Sequence, residues 1–158
     1  MRRVKLDKID LRILKDLQEN GRITNARLAR NAGISAPPCL RRVKALEESG
    51  YIKGYSAEVD CGMLGYNVTV WAMVTLKSQN DYDLKEFEQW ISKWDSIREC
   101  YMISGEIDFL LKILARDWDS YQQFLTDHLT SAPHVGNVKS SLAIRPTKMK
   151  AGAPIQVD

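Results

Sequence analysis

Apolar residues recur along this chain with two different periods, and the change from one to the other divides it. Between Leu6 and Leu46 the period is helical. Ile9, Ile13, Leu14 and Leu17 form one stripe, Leu28, Ala29 and Ala32 a second, and Cys39, Leu40, Val43 and Leu46 a third. Each stripe carries boundary signals. Asp7 can cap the first helix, with Asp10 in the reciprocal position of a capping box and Leu6 and Leu11 spaced as a hydrophobic staple. Asn20-Gly21 ends it. Thr24 caps the second helix, and Gly33 supplies a tight turn before the third. Ser35 stands at the third N-cap, its hydroxyl placed to accept from an N–H one turn in. Pro37 and Pro38 suit a first turn, where N–H groups have no helical partner. Gly50 closes this helix, and Tyr51 to Val59 reads as a short strand and turn.

From Asn67 to Lys77 the period becomes two, with Val68, Val70, Ala72, Val74 and Leu76 on one face of a half-buried strand. Leu84, Phe87, Ile91 and Trp94 return to helical spacing from Asp83 onward. Two strands follow, Ile97–Ser104 and Asp108–Ala115, with Gly105-Glu106-Ile107 as a hairpin turn. A helix from Asp117 turns Trp118, Tyr121, Leu125 and Leu129 inward, and Val135–Arg145 closes as a last strand. The order βαββαβ is ferredoxin-like. An α+β chain is therefore expected: a winged helix-turn-helix at residues 1–59, a connector at 60–66, a ferredoxin-like domain at 67–145, and a tail at 146–158, loosely ordered or crossing as an arm. Such a sheet leaves one face bare. Pairing of two sheets is the remedy, with Trp71 and Met73 on the outward phase of the first strand.

Charge sharpens the division. Residues 1–59 hold 13 Lys and Arg against 7 Asp and Glu, whereas residues 60–158 hold 10 against 13. No acidic residue stands between Glu19 and Glu47, where Arg22, Arg27, Arg30, Arg41, Arg42 and Lys44 all lie. A basic helical half joined to an acidic one suggests a polyanion-binding module coupled to a different activity. The third helix, with one greasy and one basic face, is of the kind a major groove admits.

Other chemistries find little support. No apolar run is long enough to span a bilayer, and Met1-Arg2-Arg3 leads into a charged helix, so the expected location is the cytosol. Cys39, Cys61 and Cys100 are odd in number and contain no CxxC pair, which argues against a disulfide framework or a cysteine zinc site; Cys39 and Cys100 read as small core residues. His128 and His134 have no carboxylate or cysteine at useful spacing, and no phosphate-cradling loop, HExxH or Gly-x-Ser-x-Gly occurs. Asp81, Asp83, Asp117 and Asp119 each begin a helix, where the dipole favours them. Neither an enzyme nor a metal or cofactor site is expected.

The run from Leu6 to Tyr55 resembles the DNA-binding half of the Lrp/AsnC family. The opening Leu-Asp-x-x-Asp, Leu28-Ala29, Gly33-Ile34-Ser35, Leu46-Glu47 and Gly50-Tyr51-Ile52-Lys53-Gly54-Tyr55 carry the likeness. Residues 99–112, ECYMISGEIDFLLK, resemble the family's regulation of amino-acid metabolism domain, in its leucine-responsive rather than its asparagine branch. The resemblance implies a transcription regulator that forms dimers and octamers and responds to a small amino acid, with leucine indicated by the hairpin. It gives Ser35 and Pro37, Pro38, Arg41, Arg42 and Lys44 the recognition-helix role. Arg22 and Arg27 then meet phosphate, and Thr24 and Asn25 complete the DNA-facing set. It also makes Gly105 and Asp108, with Ser104 beside them and Ser140 on the last strand, the candidate amino-acid site. A carboxylate can receive an α-ammonium, and N–H groups in a glycine turn an α-carboxylate. The alternative is that Gly105 only makes the turn and Asp108 only caps it. A further alternative is an architectural DNA-organising protein of the same fold with no effector.

Overall fold

The computed structural model describes residues 5–157, so the Met1-Arg2-Arg3 start lies outside the described residues. The chain forms two compact units: the first takes residues up to Glu58 and from Lys148 onward, the second Val59–Thr147.

In the first unit, α1 (Lys8–Glu19), α2 (Asn25–Asn31) and α3 (Ala36–Glu48) enclose Ile13, Leu28, Ala29, Cys39 and Leu46. The capping box at the start of α1 is present in both directions: Asp10 N–H donates to Asp7 Oδ1 (2.8 Å) and Asp7 N–H to Asp10 Oδ2 (3.1 Å). Two aspartates of α1 are buried, and each has partners. Asp16 accepts from Asn31 Nδ2 on α2 (2.6 Å) and from Arg12 Nε (3.1 Å), while Asp10 accepts from Arg42 of α3 (2.7 Å). Buried polar groups need such satisfaction, and here it locks the three helices to one another. Gly33 sits at φ 67° in the turn between α2 and α3.

One expectation is corrected in this unit. Residues 51–60 form no strand, because the unit offers no second β segment among the described residues and an unpaired strand has no ladder to join. The wing is instead a bent segment fastened by side chains: Ile52 packs on the helical core and the Tyr55 hydroxyl donates to Glu47 (2.8 Å). Burial and that bond push the Tyr55 hydroxyl up to about 12. The tail, expected to be loosely ordered or to cross as an arm, returns to α1. Gln18 of α1 clasps it twice, Nε2 donating to Ala153 O (2.8 Å) and Oε1 accepting from Ala153 N–H (2.9 Å). The primary amide thus pairs with the tail as a neighbouring strand would. Gln18→Ala should lower the stability of this unit by about 1 kcal/mol, the net worth of such bonds. Truncation before Lys148 should abolish any further effect of that substitution, as a thermal-unfolding comparison of the two variants and their combination would reveal.

In the second unit, β1 (Val68–Leu76), α4 (Asp81–Ile91), β2 (Ile97–Met102), β3 (Phe109–Ala115), α5 (Trp118–Phe124) and β4 (Val135–Leu142) follow in ferredoxin-like order. The sheet runs β2-β3-β1-β4, all neighbours antiparallel. Its inner face meets α4 and α5 around Val70, Val74, Phe87, Phe109, Leu111, Ile113 and Tyr121. Asn80 and Asp117 cap α4 and α5, and Asp81, Asp83 and Asp119 lie in their first turns. Between α5 and β4, residues Leu125–Leu129 make a π-helical turn. The expected inward position of Trp118 is not what the structure has: it is 44% exposed, at the first position of α5, with its ring tilted against that of Tyr121. Cys100 is exposed as well, since β2 is an edge strand.

Candidate functional site

On α3 the residues divide by the 3.6 period rather than by polarity. Cys39, Arg42, Val43 and Leu46 turn inward, whereas Pro37, Leu40, Arg41 and Lys44 are exposed. Arg42, which its charge places in the DNA-facing set, lies on the inward side. Its Nη1 donates to Asp7 Oδ2 (2.8 Å) and to Asp10 Oδ1 (2.7 Å), so its charge is already matched by two carboxylates at the start of α1. These bonds hold the guanidinium proton more firmly than usual, and the Asp10 N–H together with Arg42 holds the Asp7 carboxyl below its ordinary value. Leu40 is the opposite case: expected inward, it is 46% exposed.

Ser35 occupies the N-cap of α3 without making the expected side-chain bond. The reason is local. A capping hydroxyl accepts from the second or third N–H of the helix, and here those positions are Pro37 and Pro38, which have none. Its hydroxyl has no hydrogen bond among the described residues and remains exposed beside Pro37.

The rest of the DNA-facing set separates in the same way. Thr24 is spent as the cap of α2, accepting from Arg27 N–H (3.3 Å), and Asn25 Nδ2 donates to Ala36 O (2.8 Å), pinning α2 to the start of α3. Both act in positioning the helix pair. Arg22, Arg27, Arg30, Arg41 and Lys44 are exposed and make no ion pair among the described residues. They are the unpaired positive charge of α2, α3 and the turn before α2.

In the second unit, the turn between β2 and β3 carries Ser104 and Gly105, both exposed; Gly105 is at φ 139°, where a side chain would strain the backbone. Asp108 follows, half-buried. Its Oδ2 accepts from the backbone N–H of Leu76 (2.7 Å), just where β1 shifts register between Thr75 and Leu76. The carboxylate thus supplies the acceptor that the sheet itself lacks there. Oδ1 makes no bond among the described residues. Ser140 does not join this group. It lies on β4, separated from the hairpin by β1, and its hydroxyl is hydrogen-bonded to the buried Tyr121.

The bare face of the sheet presents Trp71 and Met73 of β1, opposite Lys112 and Leu110 of β3. Lys112 donates to Glu99 (2.7 Å), and its ammonium stands 6.0 Å from the centre of the Trp71 ring. Glu99 is held below its ordinary pKa chiefly by that bond.

His134 is a last correction. Folding gives it the carboxylates that its sequence neighbourhood lacks: Nε2 lies 2.7 Å from Glu86 and Nδ1 3.5 Å from Asp83. Its bond lowers the Glu86 pKa. His128 lies against Trp94, with ring centres 4.1 Å apart and the rings tilted by 31°. Among the described residues, no three His, Cys, Asp or Glu side chains are grouped as a metal ion would require, and no helix is long and apolar enough to cross a membrane.

Comparison with known proteins gives this geometry a context. Residues 6–53 match a winged helix-turn-helix DNA-binding domain, and residues 69–152 the Lrp/AsnC ligand binding domain. The chain is 49% identical over 146 residues to a leucine-responsive regulatory protein of Rhizobium meliloti, covering 92% of this chain and 94% of that one. It is 37% identical to the Bkd operon transcriptional regulator of Pseudomonas aeruginosa, over 95% and 98% of the two chains. Among solved structures, a transcriptional regulator of Neisseria meningitidis in complex with L-Met superposes with a TM-score of 0.91 at 32% identity, covering 95% and 97%.

Proposed function

Since the chain belongs to the Lrp/AsnC family of DNA-binding transcription regulators, and its relatives are regulators rather than enzymes, we propose that it reads duplex DNA with the outer face of α3 and that an amino acid held at the β2–β3 turn alters its assembly or its DNA affinity. The observation that carries the first part is the arrangement of free charge. Arg41 and Lys44 project from α3, Arg27 and Arg30 from α2, and none of them has a carboxylate partner among the described residues. Phosphates can therefore meet them without first breaking an ion pair. The exposed Ser35 hydroxyl, relieved of capping, adds a neutral donor at the start of the same face. Arg42 acts by holding α3 against α1. Thr24 and Asn25 set the angle between α2 and α3.

The bare sheet face is the proposed dimer surface, with Trp71 and Met73 against their counterparts, and dimers gather into an octamer. Two copies of α3 would then read half-sites about one helical turn apart.

For the effector, the exposed Gly105 turn can offer backbone N–H groups to an α-carboxylate, and Asp108 Oδ1 can accept from an α-ammonium. Ser140 falls outside this proposed site. An apolar amino acid is favoured by the leucine-responsive name of one relative and by the L-Met bound to another. A ligand shifts assembly only by binding one state better than the other. One observation favours the architectural alternative: half of the Asp108 carboxylate is already used by the sheet.

Light scattering with each amino acid in turn, beside DNA titrations at two salt concentrations, tests the proposal. The expected result is a change in mass with leucine or methionine. Arg41→Ala and Lys44→Ala should each reduce the salt slope by about one. Steep DNA binding with no response to any amino acid would leave the architectural reading standing instead.

A further inference from the structure

Leu40 is the one large apolar side chain on the face of α3 that the charge argument leaves without a task. It is 46% exposed, and the inward stripe beside it is already filled by Cys39, Arg42, Val43 and Leu46. Pro37 is exposed one turn before it, Arg41 next to it, and Lys44 one turn after. An apolar spot framed by unpaired cations fits a surface that is anionic at its edges and apolar at one point within. The major groove of duplex DNA is such a surface: phosphates line it, and the C5 methyl of thymine is its apolar group. Resting on the reading that α3 enters that groove, we propose that Leu40 is a specificity-determining residue that selects thymine by contact with its methyl group, while Arg41 and Lys44 supply charge that is indifferent to sequence or reads a neighbouring base edge.

The test uses the full-length protein and a binding site selected from random duplexes. Each thymine of that site is replaced in turn by deoxyuridine, which removes the methyl and keeps the pairing and the phosphates. Wild-type protein should lose about fourfold in affinity at one position of each half-site, the size of burying a single CH2 group. Leu40→Ala should lose a similar factor on the unmodified site and be indifferent to methyl removal at that position. Leu40→Gln, which keeps the length and helix propensity, should behave as Leu40→Ala does.

Wild-type binding that ignores the methyl at every position would overturn the proposal, and that result needs no variant. So would a Leu40→Ala protein as sensitive to the methyl as wild type. The absence of any protein–DNA complex at low salt would overturn the reading of α3 itself, a failure distinguishable from the other two.

Discussion

Arg42→Ala is expected to lower the melting temperature of the DNA-binding unit by about 10 °C while leaving the salt dependence of DNA binding unchanged. Arg42 neutralises Asp10, whose side chain is only 10% exposed, and Asp7 at the same helix start. Removing one member of a fully buried pair costs about 3–5 kcal/mol, because the other charge is stranded. The Arg42 side chain is 34% exposed, so water can reach the site and about 2 kcal/mol is the better figure. For a unit of this size each kcal/mol moves the midpoint by about 4–8 °C. Arg42→Lys should recover only part of the loss: both bonds come from Nη1 alone, and an ammonium, which also carries several donors on one nitrogen, stands one bond short of that position. The salt slope counts the phosphates neutralised, and a guanidinium already matched by two carboxylates contributes little to it. If Arg42→Ala melted like wild type and the slope fell by one, Arg42 would be a phosphate contact and its ion pairs incidental.

Asp108 calls for two variants read together. Asp108→Asn keeps an oxygen able to accept from the Leu76 N–H but has no charge to offer an α-ammonium. It should melt like wild type and weaken amino-acid binding about ten- to a hundredfold, the range of a charge-assisted hydrogen bond. Asp108→Ala also leaves the Leu76 N–H without its acceptor, and should cost the second unit a further 1–3 kcal/mol or so. Calorimetric titration with the responsive amino acid, beside thermal unfolding of both variants, gives the two numbers separately. Unchanged amino-acid affinity in Asp108→Asn would make the residue purely a ladder end. An alanine variant alone would confuse the two roles.

Much of this architecture was legible from spacing. The caps at Asp7, Thr24 and Asp117 and the alternation along β1 all rest on local chemistry, which a sequence displays directly. The sites were less legible, because their decisive contacts are distant in sequence. Charge alone groups Arg42 with the outward cations, although positions 39, 42, 43 and 46 form an unbroken helical stripe. Given that stripe, the buried Asp10 opposite it is the signal that could have identified the pair. Hydrophobicity alone assigns Leu40 inward, against the same period. Asp7 and Asp10 lie 35 and 32 residues from Arg42, and Leu76 lies 32 from Asp108, so no local pattern announces either contact. His134 found Glu86 across 48 residues in the same way. Ser35 is the instructive exception. The two prolines that disable its cap are adjacent to it, and asking where the accepted N–H would come from was enough to see that no capping bond could form.

The clasp between Gln18 and Ala153 has a consequence for engineering. The chain leaves the first unit near Glu58 and rejoins it from Lys148, so the second unit is an interior cassette rather than a C-terminal appendage. A chimera made by one crossover near residue 59 would dress this reader in a foreign tail. Two crossovers, near 59 and 147, would exchange the second unit and leave the DNA-binding unit's own surface whole.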